Sequence, residues 1–311
     1  MVLQLVIYFQ ENAQGQSVSF SIYKTLETLY TSTLIAREQL LMKRNTLDLL
    51  RCPTCRGELI LEANNNLGPI DTGILVCNAC LKPYPIKKGI PRFIRESDLV
   101  GINKRFAYLY DWFSLIYTAF SKIGFRLLGT TDSRARREVL ARLEPNGGKV
   151  LEVSIGPGVN LPYLVTSPAV GEVYGLDISI GQLNRCNALI RRKGWPIDLF
   201  LGNAEELPFI DNSFDSVFHI GGINFFGNKK QAIDEMIRVA KPGTRIIICD
   251  ENESGAQWYE RFLPGFKSTF HGQRDPIIAP IDMVPPTMLE CTCENIWKGT
   301  YRWMLVNIPH Y

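Results

Sequence analysis

Within a few positions near residue 150 the chain changes from apolar to glycine-rich. Val150, Leu151, Val153 and Ile155 form a near-continuous apolar run, the pattern of a strand buried on both faces. Gly156-Pro157-Gly158 then breaks it, which predicts the first strand of a parallel sheet running into a tight turn and a helix. A second apolar run, Val173-Tyr174-Gly175-Leu176, ends in Asp177. Beyond it the spacing predicts a helix over 180–193, a strand over 197–201 and a strand ending at Ile220. A helix over 229–240, the turn Lys241-Pro242-Gly243, a strand over 244–249 and a hairpin over about 288–308 follow. Alternation of this kind requires a mostly parallel sheet with right-handed crossovers, closed here by an antiparallel pair.

Three stretches stand outside that alternation. From Asn103 to Arg142 the pattern is helical and aromatic, with Phe106, Tyr108, Tyr110, Trp112, Phe113, Tyr117 and Phe120. These are too many for one amphipathic stripe, so some are expected to line or cover a pocket and the others to be core. Residues 254–288 hold a second aromatic group, too broken by proline for one long helix. Residues 19–41 have loose helical spacing (Ile22, Leu26, Leu29, Tyr30, Leu34); an amphipathic helix that binds a partner or a membrane surface and a mere extension ahead of Met42 both remain open. The chain therefore divides into an extension over 1–48, a small unit over 49–98 and an α/β domain over 99–311.

The small unit is marked by Cys52-Pro-Thr-Cys55 and Cys77-Asn-Ala-Cys80, with strand candidates at 58–62 and 73–76 and a polar Asn64-Asn65-Asn66 turn between them. Each C-x-x-C turn presents two thiolates to one side, and two such knuckles close a tetrahedron around zinc. Four thiolates leave no open position, so Cys52, Cys55, Cys77 and Cys80 are expected to hold a structural ion for a piece too small to build its own core. Vestigial or redox cysteines, an iron–sulfur cluster among them, are the alternative. Cys186, Cys249, Cys291 and Cys293 suggest no disulfide framework, and Cys249 reads as a small core residue.

Composition narrows the class. With 46% hydrophobic and 21% charged residues the chain is globular, and a formal net charge of +3 is too mild to argue for nucleic acid by itself. No uninterrupted apolar run approaches the ~20 residues of a membrane span. The apolar Met1–Phe9 has neither a basic flank before it nor a small-residue cleavage site after it, so a cytoplasmic location is expected.

Gly156 and Gly158 can adopt backbone angles closed to other residues and bring the main chain against a ligand. An acid at the distance of Asp177 bonds ribose hydroxyls in doubly wound folds. A nucleotide-type ligand above the carboxyl ends of the strands follows, although the three-glycine dinucleotide fingerprint is not present.

Four segments in order, V-L-E-V-x-x-G-x-G-x-N, G-L-D-I-S, N-A-E-E-L-P-F-x-D-N-S-F-D and E-M-x-R-V-x-K-P-G, resemble the motif set of class I S-adenosylmethionine-dependent methyltransferases. The resemblance covers about residues 103–250 and points to the ubiquinone/menaquinone C-methyltransferase-like (methyltransferase type 11) group. The cysteine knuckles, followed by Y-P-I-x-x-G-I-P at 84–91, resemble the zinc-ribbon family that includes the activator subunit of tRNA and protein methyltransferases. The fold implied is α/β, with a Rossmann-like seven-stranded sheet, mostly parallel with an antiparallel terminal hairpin, beside a small N-terminal zinc ribbon. S-adenosylmethionine and structural zinc are the implied cofactors.

Carried over by residue, the resemblance implies that Glu152, Gly156 and Gly158 approach the methionine and adenosyl parts of the cofactor. It implies that Asp177 holds the ribose and that Asn203 with Ala204 reads the adenine edge. The chain departs from the motif at Ser154, where glycine is usual, and at Asn203, where aspartate is usual; Asn203 keeps a carbonyl able to accept from the adenine amino group. Plainer readings stand beside these: Asp177 as a helix N-cap, Asn203 as a turn residue, and Asp215 as an organiser of the loop entering the fourth strand.

Methyl transfer asks the protein mainly for orientation and exclusion of water, with a base only where the acceptor must lose a proton. His219 and Glu251, at carboxyl ends of strands, are the candidates, with a buried structural role for His219 as the alternative. The acceptor expected is a C or O atom of a small, largely apolar molecule, quinone-, polyketide- or lipid-like. A base methyltransferase that uses the basic ribbon residues Lys82, Lys87, Lys88, Arg92 and Arg95 on rRNA or tRNA is a second reading, and a non-catalytic binding module is a third.

Overall fold

The computed structural model describes residues 41–62, 68–95, 126, 130–262, 277 and 280–309. They lie in one compact unit, Gln39–Tyr311. The helical spacing read at 19–41, the aromatic group at 106–120, the Asn64–Asn66 turn and residues 263–276 of the proline-broken aromatic stretch fall almost wholly outside the described residues.

The cysteine unit is a four-stranded antiparallel sheet, β1 (Leu59–Glu62), β2 (Gly73–Cys77), β3 (Pro83–Lys87) and β4 (Ile90–Pro91), in that order. The prolines of β3 conceal this strand in the sequence. Arg92 donates its N–H to the Pro85 carbonyl at 2.9 Å, so the side of β3 that lacks proline N–H groups faces the two-residue β4. There a missing donor forfeits little.

After α1 (Asp132–Leu140), the larger domain runs β5 (Lys149–Val153), α2 (Leu161–Leu164), β6 (Glu172–Asp177), α3 (Ile180–Lys193), β7 (Asp198–Leu201) and β8 (Ser216–Ile220). Then come α4 (Lys229–Val239), β9 (Arg245–Glu251), α5 (Glu253–Phe262), β10 (Leu289–Ile296) and β11 (Tyr301–Asn307). The strands form one sheet in the order β7-β6-β5-β8-β9-β11-β10. The first five are parallel, while β11 is antiparallel to both neighbours. The mostly parallel sheet closed by an antiparallel hairpin is thus what the alternation predicts, and its Rossmann-like seven strands beside an N-terminal ribbon are what the resemblance implies.

Local chemistry sets the helix ends. The Ser179 hydroxyl accepts from the Gln182 N–H to start α3, which closes on left-handed Gly194 with Arg191, Arg192 and Lys193 in its last turn. Asn228 caps α4 by accepting from the Gln231 N–H. The helix expected after the glycine turn is a single turn, α2, with Pro162 in its opening positions.

Both sheet faces are buried. One carries Val150, Ile155, Phe218, Ile247 and Cys249 beneath α1 and α3. The other carries Leu151, Val153, Val217 and Ile248 beneath α4 and continues into the ribbon through Met42, Leu50, Leu75, Tyr84 and Ile86. Ribbon and sheet therefore share a core. Leu50 bridges Phe209 and Arg92 bridges Leu201, so the ribbon covers the edge strand β7, whose unpaired backbone would otherwise be open to other chains. Packing starts ahead of residue 49: Met42 is buried and bridges Ile70, and the Lys43 N–H and Thr46 hydroxyl donate to the buried Asp198 carboxylate.

Candidate functional site

The apolar run that starts the domain stops as a strand at Val153, because Ser154 turns into the left-handed region at φ 61°. A side chain at that angle is strained, which is the physical content of having serine where glycine is usual. Ile155 still donates to the Leu176 carbonyl at 3.0 Å, holding the turn against β6.

The two glycines then serve different ends. Gly156 has φ 56°, and a Cβ placed on it would meet nothing within 4 Å among the described residues. At Gly158 (φ 80°) a Cβ would lie 2.8 Å from Cys186 Sγ on α3 and from Leu161. One glycine faces open space, and the other lets turn and helix pack closely.

Gly156 donates its N–H to Asp177 Oδ2 at 2.8 Å, and Ser179 donates to Asp177 Oδ1 at 2.9 Å. The glycine turn and the acid at the end of β6, distant in sequence, thus meet directly. Asp177 is not the side-chain cap of α3; Ser179 has that part.

Glu152 is fully buried on β5 and accepts from Asn160 Nδ2 at 2.6 Å through Oε1. Its Oε2 meets no hydrogen-bond partner among the described residues. Arg136 on α1 supports this arrangement by donating to Asn160 Oδ1 at 2.9 Å while pairing with Asp132. Burial pushes the Glu152 carboxyl from an ordinary 4.5 to about 8, against the pull of the Asn160 bond and the Arg136 charge. Sequence reading missed Arg136 and gave Asn160 no role; the Asn after the glycines was visible in the motif, but nothing local links it to α1.

On the next loop, Asn203 Oδ1 accepts from the Glu205 N–H at 3.1 Å, a side-chain turn, and Ala204 is buried. Asp215 organises its loop as expected, accepting from the Lys149 N–H at 2.8 Å and from Lys241 Nζ at 2.7 Å.

His219 is fully buried at the end of β8, its ring edge-on to Phe226. Nδ1 lies 2.9 Å from the Val153 carbonyl. A carbonyl only accepts, so Nδ1 carries the proton and Nε2 the lone pair, and Nε2 has no hydrogen-bond partner among the described residues. Burial lowers the His219 pKa below its usual 6.5, an effect partly offset by the Asp250 charge and the Val153 bond. Glu251, at the end of β9, is held well above the usual carboxylate range by burial and then by the Asp250 charge beside it, with the Tyr301 hydroxyl at 3.3 Å from its Oε1. Asp250 itself accepts from the N–H groups of Gly222 and Asn224. A pocket of about 290 Å³, counting its open mouth, lies here between Ile223, Ile248 and Met304 on the apolar side and Asp250, Glu251 and Arg302 on the polar side.

The four cysteine sulfurs lie within 4.8 Å of one another, with Cys52–Cys80 at 3.7 Å and Cys55–Cys77 at 3.4 Å. Zn–S bonds of about 2.3 Å set tetrahedral sulfurs about 3.8 Å apart, so the knuckles fit zinc. The Tyr84 hydroxyl contacts both Cys52 Sγ and Thr54 Oγ1 at 3.2 Å, orienting a ligand from outside the coordination sphere. Burial opposes ionisation of Cys52, but this bond and nearby backbone N–H groups bring its thiol down to about 6.

Comparison with known proteins matches residues 151–248 to the methyltransferase domain family and residues 43–89 to Trm112p-like proteins. A demethylmenaquinone methyltransferase of Corynebacterium kroppenstedtii is 35% identical over 125 residues, 40% of this chain and 51% of that protein. The ubiquinone/menaquinone biosynthesis C-methyltransferase UbiE of Burkholderia mallei is 36% identical over 105 residues, 33% of this chain and 43% of that protein. The chain thus spans about half the length of the curated relatives it matches. Among solved structures, the complex of the Haloferax volcanii Trm112 methyltransferase activator aligns with a TM-score of 0.46 at 16% identity, over 65% of this chain and 98% of that one. Residues 151–248 thus resemble the methyltransferase domain family and residues 43–89 Trm112p-like proteins, and both segments lie in a single compact unit.

Proposed function

We propose that this chain is an S-adenosylmethionine-dependent methyltransferase whose acceptor is a C or O atom of a small, largely apolar, quinone-like molecule. The observation that carries the reading is the buried, half-satisfied Glu152 carboxylate beside a glycine turn that is itself hydrogen-bonded to Asp177. A buried polar atom without a partner is costly, and Glu152 Oε2 fits the ammonium group of the cofactor's methionine. The open side of Gly156 admits a backbone approach, Asp177, joined to that glycine by a hydrogen bond, would face the ribose, and Asn203 with Ala204 would flank the base.

When bound, S-adenosylmethionine supplies a methyl group already activated by its sulfonium. The chain's own residues would orient the acceptor and exclude water. The apolar wall of Ile223, Ile248 and Met304 suits a ring system. His219 Nε2, kept unprotonated by burial, is the group proposed to accept a proton from the acceptor, and Glu251, kept protonated, the one to hydrogen-bond an acceptor oxygen. In the same reading the 49–98 ribbon is a zinc-held buttress to the 99–311 catalytic domain. Relatives named as quinone methyltransferases support the acceptor class.

The test is calorimetry with S-adenosylmethionine, followed by transfer of labelled methyl to a demethylated naphthoquinol and to bulk RNA, with products identified by mass spectrometry. Binding and a methylated quinol are expected. Absence of binding, or label found in RNA alone, would overturn the reading.

A further inference from the structure

Arg56 follows Cys55 directly, and the cysteine knuckle fixes its backbone. Its N–H donates to the Cys52 carbonyl at 2.8 Å, the Cys52 N–H donates to the Gly57 carbonyl at 2.9 Å, and its φ of 63° is left-handed. From this position the guanidinium leaves the ribbon. Nη1 donates to the Leu207 carbonyl at 2.7 Å, and Nη2 to Glu235 Oε1 on α4, also at 2.7 Å.

Glu235 closes the loop: its Oε2 accepts from the Leu207 N–H at 2.8 Å. Both backbone polar groups of one buried residue are therefore gripped by an Arg–Glu pair, and fork geometry suits arginine to two acceptors at once. Leu207 is fully buried, so water cannot readily replace either bond. Three residues earlier stands Ala204, and the tight turn between them is closed by the Glu206 N–H donating to the Asn203 carbonyl at 3.1 Å. Arg238 also reaches the Leu207 carbonyl, at 3.0 Å, but from α4; the side chain that ties this peptide to the cysteine knuckle is Arg56.

We infer that Arg56 is a positioning residue that couples the metal knuckle to the 203–207 loop, so that filling the adenine end of the cofactor site and holding zinc reinforce each other. The inference rests on the reading of Asn203 and Ala204 as part of the cofactor site. Coupling between two binding events is reciprocal, which gives the test a readout independent of turnover.

Zinc release from the whole zinc-loaded chain to a colorimetric chelator is timed with and without saturating S-adenosylmethionine, for wild type, Arg56→Ala and Arg56→Lys. In wild type the cofactor slows release by on the order of five- to tenfold. Arg56→Ala loses that protection, and its KM for S-adenosylmethionine rises by a similar factor with kcat unchanged. Arg56→Lys, with one ammonium in place of a fork, recovers part of both effects. Should Arg56→Ala purify without zinc, the lysine variant alone decides: protection equal to wild type, with an unchanged KM, counts against the coupling. Cofactor that binds wild type without slowing zinc release, or protection that survives intact in Arg56→Ala, overturns the inference. Failure of wild type to bind the cofactor at all would instead strike the proposed function.

Discussion

Asn160 donates to one oxygen of the buried Glu152 carboxylate at 2.6 Å, while the other oxygen of that carboxylate meets no partner among the described residues. The acid is raised to about 8 by burial, so it is largely protonated at neutral pH in the absence of a cation beside it. A ligand ammonium favours the ionised form, and binding must then expel a proton. Affinity for S-adenosylmethionine is expected to rise as pH rises toward and through about 8, with proton release visible as a buffer-dependent calorimetric enthalpy. Glu152→Gln should flatten that dependence and weaken binding. For the unliganded fold the sign is opposite: the stability linked to this group is full below 4.5 and is lost as pH rises through about 8. A pH-independent affinity in wild type would remove Glu152 from the site.

Gly57 has no unusual φ, yet a Cβ on it would lie 2.8 Å from Cys77 Sγ and 2.9 Å from Ala79. Gly57→Ala is therefore expected to spread the knuckle, lowering bound zinc and destabilising the fold by roughly 1–3 kcal/mol, the range for forced overpacking. Metal analysis with thermal denaturation checks this; a zinc-replete variant with an unchanged midpoint would contradict it.

Chelation should not leave an intact larger domain behind. Ribbon and sheet share one core cluster, and backbone hydrogen bonds join Arg51 to Pro208, Ile210 to Leu49 and Phe93 to Leu201. Scanning calorimetry should give one transition that moves down as a whole when zinc is removed. Two transitions, the upper one unmoved, would show the ribbon to be independent.

His219→Asn tests the proposed base. Proton acceptance by a positioned side chain contributes about 10²–10⁴-fold in rate, so kcat should fall within that range while the affinity for S-adenosylmethionine stays the same. A loss of stability with kcat retained would assign the residue to packing against Val153 and Phe226 alone.

Asp215→Asn separates structure from chemistry. Burial opposes its ionisation, but the Lys241 bond and the Lys149 N–H hold the carboxyl below its usual range. A depressed carboxylate adds stability that is present above its unfolded pKa and fades as pH falls through its folded one. The variant should be less stable than wild type at neutral pH by about 1 kcal/mol, with the gap closing in acid and cofactor binding unaffected. Thermal midpoints across pH would reveal any other behaviour.

Much of this molecule was legible from short-range spacing. The two C-x-x-C turns, the apolar run that breaks at Gly156, the acid after the second run and the strand–helix alternation all depend on residues within a few positions of one another. Backbone periodicity converts such spacing directly into structure. The boundaries were less legible: Ser154 reads as one more strand residue, and only its left-handed φ shows that β5 has already ended. β3 hid behind its prolines for a similar reason, since which side of a strand lacks donors depends on what lies beside it.

Periodicity and local spacing alone settle that the chain builds a mostly parallel α/β sheet preceded by a small unit with two cysteine knuckles, because those patterns are read within single elements. Three further matters needed the folded chain: that Arg136 supports Asn160 beneath Glu152, that Arg56 reaches Leu207 across the ribbon boundary, and that His219 lies wholly out of solvent. Each depends on strand order and burial. Those bring together groups far apart along the backbone and withdraw water from them, and it is desolvation by distant neighbours that gives an ordinary acid or imidazole its unusual chemistry.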